Sequence, residues 1–236
     1  MSEQKVESIM ASFPADLERM SSSLASLFPH ATLSAASAAF AKQLDVSAAD
    51  NAGNPLVTKA LEAVRDEIAG AAENLATVER WIALSTPQME DGNNFGVSVQ
   101  MMVAKYLKDE RESLVKVMGT FPEYFDKRAS AIDKIPTIPS KSSTTSTSSS
   151  TTSGGKDGDE KKESSSTSTE SKASLKQDAD RANHVVAVDV SYYFQLKAAL
   201  SGLMDSYAIA VDNLTKNYDK LRAPKGAGGG NSMSMF

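Results

Sequence analysis

The chain has 236 residues, a net charge of −5 and no cysteine. An acidic balance leaves no electrostatic footprint for nucleic acid, and the missing thiols exclude disulfides, thiolate zinc sites and a cysteine nucleophile. Hydrophobic residues make up 41% but aromatic ones only 6%, so any core must be built mainly from aliphatic side chains and alanine, a mixture that favours helix. The opening MSEQKVESIM lacks a basic segment followed by an apolar core, so no signal peptide is expected. No apolar run approaches the roughly 20 residues of a membrane span. The expectation is a soluble protein of the cytoplasm or nucleus, with neither membrane nor nucleic acid as a partner.

Val6, Ile9, Phe13, Leu17, Met20, Leu24 and Leu27 recur at steps of three and four, which predicts a first helix over about 2–28. Pro14 is expected to kink or restart it, and Pro29 to end it. Residues 30–54 are rich in Ala and Ser around Phe40 and Leu44, and fit either a short helix or an ordered connection. Asn54-Pro55 then supplies a cap and a first-position proline. Leu61, Val64, Ile68, Ala71, Leu75, Val78 and Ile82 follow as a heptad seam, predicting a helix over 56–84 that Thr86-Pro87 terminates. Val57, Trp81 and Tyr106 fall off the clearest seams and are expected to need a second partner surface.

The polar stretch 88–97 joins this helix to the next. It consists of Gln88, Met89, Glu90, Asp91, Gly92, Asn93, Asn94, Phe95, Gly96 and Val97. Its two glycines and two asparagines are strong turn formers. A third helix starts near Val97, with Val103, Leu107, Leu114, Met118, Phe121 and Phe125 on its buried side and Pro122 ending or bending it. Arg111 falls on the same seam, either snorkelling from its end or contacting a neighbouring subunit. Residues 1–135 thus hold three helices, and 136–172 form a Ser/Thr-rich linker with little apolar to bury beyond Ile138, expected to be disordered. The fourth helix is placed at 173–224, with Val186, Tyr193, Leu196, Leu200, Leu203, Tyr207 and Leu214 among its apolar residues. A short strand competes at 185–190, where β-branched residues alternate. Residues 225–236 are a Gly-rich tether ending in Ser232, Met233, Ser234, Met235 and Phe236.

The fold class is therefore all-α, an up-down four-helix bundle. Antiparallel neighbours put the 88–97 loop and the C-terminal tail at the same end, and the linker at the other. No catalytic constellation is visible. His30 and His184 lie on unrelated segments, Glu90 and Asp91 are adjacent rather than spaced as an acid/base pair, and no phosphate loop or metal-ligand spacing occurs. The reading is a protein that is not an enzyme and uses no cofactor or metal.

The run 90–97, with Trp81 upstream and Gln100 downstream, resembles the activation loop of the 11S, or REG-type, proteasome activators. Phe121-Pro122-Glu123-Tyr124 with Lys127-Arg128, and the ending 216–224, are similar to the family's turn after the third helix and its fourth-helix terminus. The likeness covers about 75–128 and 178–224. It implies a protomer of a seven-membered ring that acts without ATP hydrolysis. The tail, 232–236, would dock between the α subunits of the 20S proteasome, and the 88–97 loop would open its gate. Within the loop, Glu90 and then Asp91 are expected to make the polar contact, Asn93, Asn94 and the glycines to set the backbone, and Phe95 to anchor it to the bundle. Two features depart from the family. The low-complexity stretch lies between helices three and four rather than one and two, and the tail lacks the hydrophobic-Tyr-any ending of ATPase-type activators. The alternative is a coiled-coil scaffold or adaptor whose loop is inert.

Overall fold

The computed structural model describes residues 3–44, 53–89, 94–135 and 167–226. The described elements are α1 (Glu3–Leu27), α2 (Leu33–Gln43), α3 (Pro55–Ser85), α4 (Phe95–Gly119), α5 (Glu123–Ile132) and α6 (Thr167–Arg222). The four long ones, α1, α3, α4 and α6, form the all-α bundle; α2 and α5 cap its far end against α6.

α3 is the central helix. The Asn54 side-chain oxygen accepts from the amides of Leu56 and Val57, and Pro55 fills the first turn, where no amide donor is needed. Its seam is buried throughout, from Leu61 to Ile82. Val57 and Trp81, expected to seek another surface, are buried within the chain as well, and Tyr106 is half-buried against the core. The reason is geometric: α3 touches α1, α4 and α6 at once, so its apolar stripe is wider than a two-helix seam.

α1 buries Val6, Phe13, Met20 and Leu27, one residue per heptad. It runs through Pro14 without ending. The proline is exposed, so the carbonyl deprived of its amide partner lies on the solvent side, where water can serve it. Phe13 meets Tyr207 edge-on at 4.7 Å and Phe28 meets Tyr193 at 5.1 Å, which sets α1 antiparallel to α6. Arg19 grips Glu67 on α3 through two hydrogen bonds, of 3.1 and 2.8 Å. α3 runs parallel to α6, with Asn74 donating to the Tyr207 hydroxyl and Trp81 stacked on Tyr218. The helices alternate in direction as the sequence pattern requires.

Five details differ from the sequence reading or add to it. Residues 33–43 form a helix, capped by Thr32 and buried at Ala36 and Phe40. The stretch 185–190 is helical, its flanks prevailing over its β-branched content. α6 begins at Thr167, so part of the expected linker, 167–172, is helical; extending a formed helix costs each residue far less than starting one. Phe125, placed on the buried side, is 48% exposed, while Tyr124 is fully buried. The turn at 120–122 ends α4 and starts α5 with a new phase, moving the inward face by one residue. Arg111, on the seam of α4, donates to Glu79 on α3 at 3.1 Å within the same chain and stays part-exposed.

At the far end, Tyr124 donates to Asp189 at 2.9 Å and Arg128 donates to the same oxygen at 3.0 Å. The Asn54 amide donates to the Tyr124 hydroxyl, tying the start of α3 to α5 and α6. Burial raises the Asp189 carboxyl above its ordinary range, against the opposing pull of Arg128 and Tyr124.

Candidate functional site

The opposite end of the bundle gathers the C-terminus of α3, the N-termini of α1 and α4, and the last turn of α6. Each long helix sends a side chain to that turn. Trp81 of α3 stacks on Tyr218, with centroids 6.3 Å apart. Tyr218 donates to Glu7 of α1 at 3.0 Å, and Arg222 pairs with Glu3 of α1 at 2.7 Å. Burial, and then the Glu7 carboxylate, raise the Tyr218 hydroxyl above its ordinary range, so it stays a donor at neutral pH. From α4, the Gln100 side-chain amide donates to the Leu221 carbonyl at 2.8 Å.

The expected loop residues divide by burial. Gln88 and Met89 are exposed, as is Phe95 at 64%. The Lys220 ammonium lies 4.8 Å from the Phe95 ring centre, so this ring meets α6 through a cation contact rather than by burial. Asn94 is half-buried and its carbonyl accepts from Ser98, opening α4. Val97 is fully buried and Gly96 is buried against Pro224. A Cβ on Gly96 would stand 2.0 Å from the Pro224 carbonyl oxygen, so only glycine fits this approach. Gly226, two residues on, holds φ +83 and closes a turn on Ala223 at 3.0 Å, leading the chain off the helix end. Glu90, Asp91, Gly92 and Asn93, and the tail Ser232, Met233, Ser234, Met235 and Phe236, lie outside the described residues.

An open groove lined by Phe95, Gly96, Lys220, Pro224 and Lys225 runs between loop stem and tail exit. The chemistry it offers is recognition, with cations beside an exposed aromatic ring. No group of His, Asp or Glu among the described residues could hold a metal ion. His30 packs edge-on to Phe40 while its amide donates to Tyr193, and His184 is exposed on α6. No described helix is long and apolar enough to cross a membrane.

Sequence reasoning placed loop and tail at one end but missed what fastens them there, namely Tyr218, Gln100, Glu3 and Glu7. Gln100 had a signal: a polar residue on the stripe Val97, Val103 and Leu107, where an apolar one would serve packing.

A helical bundle with a braced interhelical loop beside a tail exit is the class of protein defined here. Residues 51–142 match the family described as Proteasome activator PA28, C-terminal. The chain is similar to proteasome activator complex subunit 3 of Homo sapiens and of Gallus gallus, 24% identical over 172 residues, which are 73% of this chain and 53% of the relative. It thus spans about half the length of these curated relatives. Its fold is similar to the crystal structure of the 11S subunit of the Plasmodium falciparum proteasome, PA28. That likeness has a TM-score of 0.53 and 18% identity, and covers 95% of this chain and 94% of that one. It is also similar to a chain in the crystal structure of an archaeal 20S proteasome in complex with mutated P26 activator. There the TM-score is 0.63 with 15% identity, covering 94% and 90%. Over residues 51–142, then, the chain is similar to the PA28, or 11S, proteasome activators, and its all-α fold is similar to theirs.

Proposed function

We propose that this protein is an ATP-independent activator, not itself an enzyme, that docks on the 20S core particle through its C-terminal tails and opens the gate with its 88–97 loop. The observation that carries this reading is the contact of Gly96 with Pro224: the loop stem and the point where the tail leaves the bundle share one end of the molecule. The two parts would do different work. Tails on a Gly-rich tether would supply affinity, and several on one ring gain about 100- to 10,000-fold through effective concentration. Opening a gate requires a rigid element with different affinity for its open and closed states. The stems that flank 90–93, the end of α3 and the start of α4, would supply that rigidity.

The test is hydrolysis of a fluorogenic peptide by purified 20S proteasome with and without the full chain. Stimulation is expected. Removing 232–236 should abolish it at low concentration, whereas Asn93→Tyr should still compete for docking but fail to stimulate. A wild-type chain that forms a ring and leaves the proteasome unchanged would favour the inert scaffold.

A further inference from the structure

At the stems of the loop Gly96 and Val97 are buried, but the large side chains Met89 and Phe95 are not. Met89 is 58% exposed and Phe95 64%. What holds the first turn of α4 is the end of α6. The last carbonyls of a helix have no intrahelical partner, and that of Leu221 is buried beyond the reach of water. Gln100 supplies the missing donor at 2.8 Å. The same side chain is wholly buried, and its own oxygen has no partner among the described residues. An unpaired buried acceptor is destabilising; a leucine would pack there without that defect, so the donor accounts for the glutamine. One turn earlier, Gly96 lets the Pro224 carbonyl lie against the α4 backbone.

We propose that the turn 221–224 is a buttress for the 88–97 loop, and that Gln100 and Gly96 are positioning residues through which it acts on gate opening. This rests on the function proposed above. The Gly-rich sequence beyond Gly226 suits tails that dock whatever the angle of the loop; the gate does not tolerate a loop that swings. Loosening the buttress therefore separates docking from opening.

The experiment uses the full chain with Gln100→Leu, Gln100→Glu or Gly96→Ala, titrated against 20S proteasome. The half-saturating concentration reads docking and the plateau reads opening. For Gln100→Leu the plateau should fall by about fivefold or more while half-saturation stays within about threefold. Gln100→Glu cannot donate as a carboxylate. Burial raises its pKa, so its plateau relative to wild type should recover from pH 8 to pH 6 as the protonated carboxyl regains the bond, which a merely structural role would not produce. Gly96→Ala must drive Pro224 back, since Cβ contacts below 3.0 Å do not occur and this one would be 2.0 Å; it should behave as Gln100→Leu does. Hydrogen exchange at 94–100 reads the buttress without the proteasome and should quicken in each variant. Unchanged exchange and an unchanged plateau in a folded Gln100→Leu ring would overturn the proposal, as would docking lost in parallel with opening. A wild-type chain that fails to stimulate, with the exchange difference intact, would instead sink the gate-opening function and spare the buttress.

Discussion

Arg128 shows how much one side chain can matter away from the loop. It and Asp189 are 7% and 3% exposed, an ion pair taken almost wholly out of water. Such a pair adds little net stability, but breaking it strands the remaining charge. Arg128→Ala should therefore destabilise the fold by about 3–5 kcal/mol at pH 7, measured by urea unfolding. The sign of its pH dependence follows from the raised Asp189 carboxyl. The folded state takes up the proton before the unfolded state does, so stability from this group is present at low pH and lost as pH rises through the folded pKa. Losing Arg128 raises that pKa further. The deficit should shrink from pH 7 to pH 5; a deficit that grew would show that Asp189 is not the stranded group.

Among the segments, residues 141–166 between α5 and α6 hold no apolar side chain to bury, and the bundle is expected to do without them. Replacing 141–166 by a short Gly/Ser run should leave the melting temperature and the stimulation of peptide hydrolysis nearly intact, since closure entropy changes by only about 0.6 kcal/mol per doubling of loop length. Loss of the fold in circular dichroism would give the linker a structural part. The long helices were legible because their burial is periodic: every seam residue of α3 and the heptad positions of α1 point inward. Periodicity fixes the period but not how many neighbours a helix has, hence the misplacement of Val57 and Trp81. It also cannot see a phase jump, and the turn at 120–122 exchanged Tyr124 for Phe125. The candidate site was legible as a location, from helix directions alone. Its fastening was legible only as a polar Gln100 on an apolar stripe, because the partners of Gln100 and Gly96 are the backbone carbonyls of Leu221 and Pro224, which carry no sequence signature.

The whole molecule leaves apolar surface that the single chain does not cover. Leu84 is 75% exposed, Met102 71%, and Met101 and Ile209 52% each. These, rather than Val57 and Trp81, are the residues a ring of copies would bury. Native mass spectrometry should find a multimer, of seven subunits in the proposed ring, and a single 25.1 kDa species at micromolar concentration would exclude it. Leu84→Glu with Met102→Glu should shift the population toward smaller species without lowering helix content.

The antiparallel pairing of α1 with α6 also has a consequence for how the protein is made. Glu7 and Tyr218, bonded at 3.0 Å, are 211 residues apart in the chain. At about 5–20 residues per second, a ribosome takes roughly 10–40 s to bring the second after the first. Through that interval α1 can lean on α3 but has no α6, and the residues that will meet Tyr207 and Tyr218 stay uncovered. The nascent chain carries an unfinished stripe until its last helix emerges, a window in which a chaperone, or the α6 of a neighbouring nascent chain, could occupy α1 first.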